Sequence, residues 1–400
     1  MDGKIIGELA RRRGALAFLY APEGLSAGLG RPLLSVAMPT RSRAFLGSIP
    51  HAFFNGLLPE GDARRMIAYD AKVDASDAFA LLAAIGRDCA GALVIAPSGE
   101  DRSIAGVPVA IDERAIAERL RRLRIEPLGI DDRVRASLAG VQEKLLLAWT
   151  DQGWALPVDG APSTHILKPR HPLFDHSIVN EAFCMRVAHH LGVSVAAVES
   201  RSFDGFLALV VERYDRTQTD AGTIRVHQED FCQATSTDVE RKYEEYGGPS
   251  LTNCAEILRK WSRADLQLEK LLDFVTLNVL LGNADAHGKN LALLHDASGG
   301  VDLAPFYDLT CTTWYPKLST IAGMFVNGVR DITAIRSSDI VREAVRWGLR
   351  HDAASAQISA LLGDAEQAIV TASAEIDPPD DLVALVRARA TSLLTDSHSV

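Results

Sequence analysis

The chain has 400 residues, 47% of them apolar, with 52 acidic against 42 basic side chains, a net charge of −10 and a pI near 5.6. Such a length holds two or three domains with substantial cores, and the acidic balance weighs against the body of the protein gripping DNA, whose affinity comes chiefly from basic phosphate contacts. No run approaches the roughly 18 apolar residues of a membrane span, Met1-Asp2-Gly3-Lys4 starts no signal peptide, and the five widely spaced cysteines (Cys89, Cys184, Cys232, Cys254, Cys311) suggest neither a disulfide framework nor a zinc ribbon, so a reducing cytoplasm is expected.

In chain order, the alternations Leu16, Phe18, Tyr20 and Leu34, Val36, Met38 predict two strands, and a helix is expected from Asp74 to Arg87, capped by Asp74 or Ser76. A second helix, Glu113 to Arg124, has Ile116, Leu120 and Leu123 as its packed stripe and Arg119, Arg121, Arg122 and Arg124 on its wet face. The proline and glycine stretch Ile125 to Asp132 then separates a small mixed domain, residues 1–125, from the rest of the chain. Residues 130–216 form the next domain: a strand at Leu145 to Trp149, another at Ser163 to Pro169 with Lys168 near its end, and a helix that Ser177 caps and Gly192 ends. After an irregular segment, Thr217 to Gly222, residues 217–400 are mainly helical, with Pro378 and Pro379 preceding a last helix, Leu382 to Leu394.

The segment Gln267 to Leu281 is apolar on nearly every face, which marks a buried helix. Gly282-Asn283 is a plausible left-handed cap, after which Ala284-Asp285-Ala286-His287-Gly288-Lys289-Asn290 emerges on a loop. Leu291 to Leu294 starts a strand, Asp296 to Gly300 turns, and Val301 to Tyr307 returns, so that Asp308 is expected beside Asn290. An aspartate followed five positions later by an asparagine, with a further aspartate downstream, is how protein kinases orient an attacking hydroxyl and hold Mg²⁺. Two rivals stay open for the loop alone: Asp285, His287 and Asn290 as turn formers, and an Asp285–His287 metal pair of a hydrolase. Lys289 beside that pair would repel its dication, and Asn290 fits Mg²⁺, a hard ion that prefers oxygen ligands.

A kinase also needs a glycine-bearing loop and a lysine for the nucleotide phosphates. Ser137-Leu138-Ala139-Gly140-Val141-Gln142-Glu143-Lys144 and Lys168 are candidates of the right type in the right order.

The chain resembles the HipA-type serine/threonine kinases, toxins of bacterial type II toxin–antitoxin pairs, over nearly its whole length. The resemblance rests on Phe53 to Gly61, Ile85 to Ala92, Ser137 to Lys144, Thr164 to Lys168, Val211 to Arg216, His227 to Asp230, Asp285 to Asn290 and Tyr307-Asp308. It implies an α+β, bilobal protein-kinase-like fold with an additional small N-terminal mixed α/β subdomain, ahead of a nucleotide-binding lobe and a helical lobe. It implies ATP and Mg²⁺ as cofactors, Asp285 as the catalytic aspartate, and Asn290 and Asp308 as metal ligands. A carboxylate with an ordinary pKa near 4 is ionised at neutral pH and can accept the acceptor hydroxyl's hydrogen bond.

By the same resemblance Lys168 contacts the phosphates, Ala139, Gly140, Val141, Gln142, Glu143 and Lys144 cover them, and Glu212, Arg213 and Tyr214 form the hinge. Gln228, His287, Lys289 and Tyr307 also sit where the family contacts nucleotide, and Glu181 is a candidate partner of Lys168. Ser137 matches a serine whose autophosphorylation switches the enzyme off; a dianion there would repel ATP. The implied partners are a helix-turn-helix antitoxin dimer, operator DNA mainly through that antitoxin, and an aminoacyl-tRNA synthetase as substrate. Two readings from other classes remain: a small-molecule kinase of the aminoglycoside or lipid type, and a catalytically silent corepressor.

Overall fold

The computed structural model describes residues 3–100, 106–128, 130, 134–220, 222–296 and 299–397. It falls into two units, one made of residues 1–173, 199–229 and 294–299, the other of 174–198, 230–293 and 300–400.

The first unit starts with the antiparallel pair Gly7–Arg12 and Ala15–Tyr20, the second strand carrying the expected Leu16, Phe18 and Tyr20 inward. Helix Ser48–Gly56 lays Phe53 and Phe54 against this pair, and Phe18 meets Tyr20 edge-on at 4.9 Å. Leu34, Val36 and Met38 are buried as expected but form no strand. Their backbone is satisfied by side chains instead of a ladder: Tyr20 Oη donates to Met38 O at 2.6 Å and accepts from Leu34 N–H, while Glu229 accepts the Val36 N–H at 2.8 Å and the Ser35 hydroxyl at 2.6 Å. Such bonds satisfy a buried chain as well as a sheet does. The helix expected from Asp74 is the shorter Ala78–Ile85, capped by Asp77, which accepts Ala80 N–H at 3.1 Å. Asp74 spends its carboxylate on Ser76 instead.

The unit's larger sheet has six strands, with Leu145–Thr150, His165–Pro169 and Phe206–Glu212 antiparallel near its middle. The basic helix Glu113–Arg122 buries Ile116 and Leu120, together with Leu123 just beyond it, among Leu145, Leu147, Leu167, Phe203 and Val210. Each large aliphatic side chain so removed from water contributes roughly 2 kcal/mol. The segment expected to be irregular after Arg216 holds the paired strands Arg216–Thr219 and Gly222–Arg225, and Ala221 lies outside the described residues. Gly129, Asp131 and Asp132 of the expected linker lie outside them too, as do Ala297 and Ser298 of the expected turn.

The second unit is built round helix Ala264–Leu281, buried on most of its surface and closed by Gly282 at φ 69°. Helices Leu251–Trp261, Ser337–Arg346, His351–Gly363 and Asp380–Ser397 surround it. Arg389 on the last of these donates to Val279 O at 2.9 Å and to Ile332 O at 3.0 Å, which adds a side-chain donor to a last-turn carbonyl that also accepts the Gly282 N–H at 3.2 Å. Helix Ser177–His190, with Ser177 as its first residue and left-handed His176 as its cap, packs on Ala365–Ile376. The strand expected from Val301 stops at Leu303; Pro305 has no N–H for a ladder, and Phe306 instead bridges to Val195.

Candidate active site

The second unit holds the acidic candidates. From Leu281 to Leu293 every residue is buried except Asp285. The loop is held at almost every residue: Ala284 N–H donates to Thr312 Oγ1 at 2.7 Å, Gly323 N–H to Ala284 O at 2.8 Å, Asp285 N–H to Asn283 Oδ1 at 3.2 Å and His287 N–H to Asp285 O at 2.8 Å. Tyr307 Oη donates to Lys289 O at 2.7 Å. A backbone bonded at most of its residues and offering one carboxylate to solvent is preorganised for a proton-accepting or orienting role.

Asn290 donates its amide N–H to the Asp285 carbonyl at 2.9 Å, so its oxygen is the end left for a cation. Asp308 is half-buried and left-handed at φ 55°, a conformation uncommon outside glycine and tolerated best by Asn and Asp. An amide oxygen and a carboxylate form a hard donor set that suits Mg²⁺. Among the described residues no group of three or more His, Cys, Asp or Glu is placed to hold a metal, so the Asp285–His287 pair gathers no further ligands of the hydrolase type. His287 is buried, and burial, with Lys242 and Lys289 adding to it, lowers its pKa to about 3; the ring is neutral, and its Nδ1 has no hydrogen-bond partner among the described residues. Lys289, buried, ion-pairs with Asp230 at 3.0 Å. Glu181 is buried within Ser177–His190.

The first unit holds the nucleotide candidates. Lys168 is buried on a strand paired on both sides. Ser137 is fully buried; its N–H donates to Asp88 O at 2.9 Å and its hydroxyl to Leu57 O at 2.8 Å. Both N-terminal motifs singled out in the sequence therefore grip the glycine-bearing loop, Leu57 from Phe53 to Gly61 and Asp88 from Ile85 to Ala92. Gly140 has φ 115°, a backbone conformation that residues other than glycine rarely adopt. Lys144 donates to Ala139 O at 2.6 Å, Glu143 pairs with Arg124 at 3.0 Å, Gln142 is half-buried and Val141 is exposed at the tip.

Of the residues expected at the hinge, Glu212 is exposed and Tyr214 donates its hydroxyl to Gln228 Oε1. Arg213 turns into a buried ion cluster. It pairs with Asp215 at 2.8 Å, Arg216 pairs with Asp88 at 2.9 Å and Arg225 with Asp88 at 3.1 Å. Burial alone would raise the Asp88 pKa, but Arg216, Arg213 and Arg225 override it and hold the carboxyl far below its usual range.

Sequence reasoning did not find Tyr243, which reaches Asp285, or Asp230, the partner of Lys289. Asp230 stood inside the motif His227 to Asp230, whose four side chains reach four different destinations: Leu34 O for His227, Tyr214 for Gln228, Ser35 and His295 for Glu229, and Lys289 for Asp230.

Residues 1–96 match the model of the HipA N-terminal domain, and residues 136–369 that of the HipA-like C-terminal domain. The chain belongs to the HipA family. It is 42% identical to the Sinorhizobium fredii protein Y4mE over 80% of this chain and 77% of that one. It is 30% identical to the serine/threonine-protein kinase toxin HipA of Shewanella oneidensis over 82% and 78% respectively. The solved complex of Shewanella oneidensis HipA with HipB and operator DNA matches at a TM-score of 0.84 and 28% identity, covering 98% of this chain and 95% of that one. The fold is thus the α+β kinase-like fold of HipA, and the chain is a kinase of that family. Among the described residues no helix is long and apolar enough to cross a membrane.

Proposed function

We propose that the chain is an ATP- and Mg²⁺-dependent serine/threonine protein kinase that acts as the growth-inhibiting toxin of a toxin–antitoxin pair and phosphorylates an aminoacyl-tRNA synthetase. The single exposed carboxylate of Asp285 on an otherwise buried loop, held by hydrogen bonds at most of its residues, carries this reading. Asp285 accepts a hydrogen bond from the acceptor hydroxyl and orients its oxygen toward the γ-phosphorus; the new P–O bond forms to that oxygen as the bond to ADP breaks, and the hydroxyl proton passes to the Asp285 carboxylate. Asn290 and Asp308 would hold Mg²⁺, which when bound neutralises charge on the phosphates.

Lys168, Ala139 to Lys144, Glu212, Arg213, Tyr214, Gln228, His287, Lys289 and Tyr307 are assigned to the nucleotide, and Ser137 to self-inactivation by autophosphorylation. The partner is a small helix-turn-helix antitoxin dimer that carries the chain to operator DNA, and the chain works in the cytoplasm. The Shewanella relative solved with HipB and operator DNA supports that pairing, and the chain's net charge of −10 fits DNA contact through a partner.

Phosphoproteomics of cells expressing wild type against Asp285→Asn tests the reading. A synthetase phosphorylated on a hydroxyl side chain only with wild type is expected. Label from ATP passing in lysate to a soluble small molecule and not to a protein band would overturn it in favour of a small-molecule kinase.

A further inference from the structure

Tyr243 lies in the second unit, between the short helix Phe231–Ala234 and Leu251–Trp261, outside every motif on which the family likeness rests. Its hydroxyl donates to Asp285 Oδ1 at 2.5 Å, the short end of the range for a hydroxyl on a carboxylate. The ring stands edge-on to His287, with centroids 4.8 Å apart and planes at 83°.

The loop on both sides of it is anchored. Lys242 O accepts the Gly288 N–H at 3.2 Å, which ties the preceding residue to the catalytic loop itself, and the Glu244 carboxylate accepts Phe325 N–H at 2.7 Å. Tyr243 O accepts N–H groups from Tyr246 at 3.0 Å and Gly248 at 2.9 Å. A Cβ on Gly248 would come within 2.5 Å of Arg241 O and 2.6 Å of the Tyr243 carbonyl, so the turn closes only with glycine there. A phenol meant to swing aside and admit an acceptor hydroxyl needs a loose tether; this one is fastened before, at and after the tyrosine.

We infer that Tyr243 is a positioning residue, which holds one oxygen of Asp285 and so sets the direction in which the carboxylate meets the acceptor hydroxyl. The inference rests on the kinase reading of Asp285. Removing an orienting bond of this kind lowers turnover by about 10- to 100-fold. Because Tyr243 does not belong to the nucleotide set, the loss falls on kcat and leaves KM for ATP unchanged.

The test measures ADP release from Mg-ATP by the full chain and three variants, Tyr243→Phe, Tyr243→Ala and Asp285→Asn, with thermal midpoints recorded for each. Tyr243→Phe keeps the ring against His287 and removes only the hydroxyl. The expected result is a lowered kcat with unchanged KM and unchanged midpoint for Tyr243→Phe. Tyr243→Phe at the wild-type rate or faster would overturn the inference, the faster rate making the phenol a plug. A loss confined to Tyr243→Ala would also overturn it, since ring packing and not the hydroxyl would then matter. A wild-type chain without ADP release, or Asp285→Asn as fast as wild type, would remove the kinase reading itself and this role with it; an active wild type with a silent Asp285→Asn keeps that reading whatever Tyr243 does.

Discussion

The hydroxyl of Ser137 is spent on the carbonyl of Leu57, 80 residues earlier in the chain, at 2.8 Å. Phosphate cannot be added while that bond stands, because the serine is fully buried. Autophosphorylation at Ser137 would therefore require the loop to leave both Leu57 and Asp88. Ser137→Ala is expected to keep ATP turnover, to cost about 1–2 kcal/mol for the unpaired Leu57 carbonyl, and to abolish self-inactivation. Mass spectrometry after incubation with Mg-ATP checks this; a wild-type chain that inactivates itself without phosphate on Ser137 would sink it.

Asp88 is the hub of the buried cluster with Arg213, Arg216 and Arg225. Asp88→Asn leaves arginine charge buried with less compensation and is expected to cost about 3–5 kcal/mol, read by denaturant unfolding. The folded carboxyl pKa is depressed, so its contribution is present above the unfolded value of about 4 and is lost as pH falls below it. Wild type should lose midpoint steeply in that acid window, and Asp88→Asn less so.

Burial, with His295 beside it, lowers the His227 pKa to about 3, and burial lowers His165 to about 4. Both are neutral when folded and take up protons when unfolded. Their stabilisation is complete above the unfolded pKa of about 6.5 and declines as pH falls from there toward the folded values. His227 donates through Nε2 to Leu34 O at 2.8 Å, a bond glutamine can remake. His227→Gln is expected to flatten the fall in unfolding midpoint between neutral pH and mild acid; an unchanged slope would show that His227 is not one of its causes.

Gly323 lies against the loop that carries Asp285. A Cβ there would lie 2.6 Å from the Ala286 carbonyl carbon and 2.7 Å from His287 N, and backbone has no flexible end that could give way. Gly323→Ala is expected to shift Asp285 and to lower turnover by about 100-fold, as misplacement of a reacting group by an ångström does. Steady-state kinetics on a variant shown by circular dichroism to be folded decides it; wild-type kcat would mean that the loop yields without loss.

Periodicity and local chemistry made much of this molecule legible in its residues. The apolar run Gln267 to Leu281 announced a buried helix, Gly282 its left-handed end, and Ile116, Leu120 and Leu123 the packed side of the basic helix. The motif strings were long enough to place the chain in its family, and with the family came its kinase-like fold. These features are written in short stretches because face and cap depend on residues within a turn or two of one another.

Tertiary structure decided the rest. Leu34 to Met38 alternates like a strand yet is satisfied by Tyr20 and Glu229, because a buried backbone asks only for partners and not for a ladder. The carbonyls of Leu57 and Asp88 hold Ser137, and the phenol of Tyr243 holds Asp285, through bonds spanning 42 residues or more. Spacing along a chain sets which way a side chain leaves its own element, and says nothing of which distant backbone group the folded core will bring to meet it.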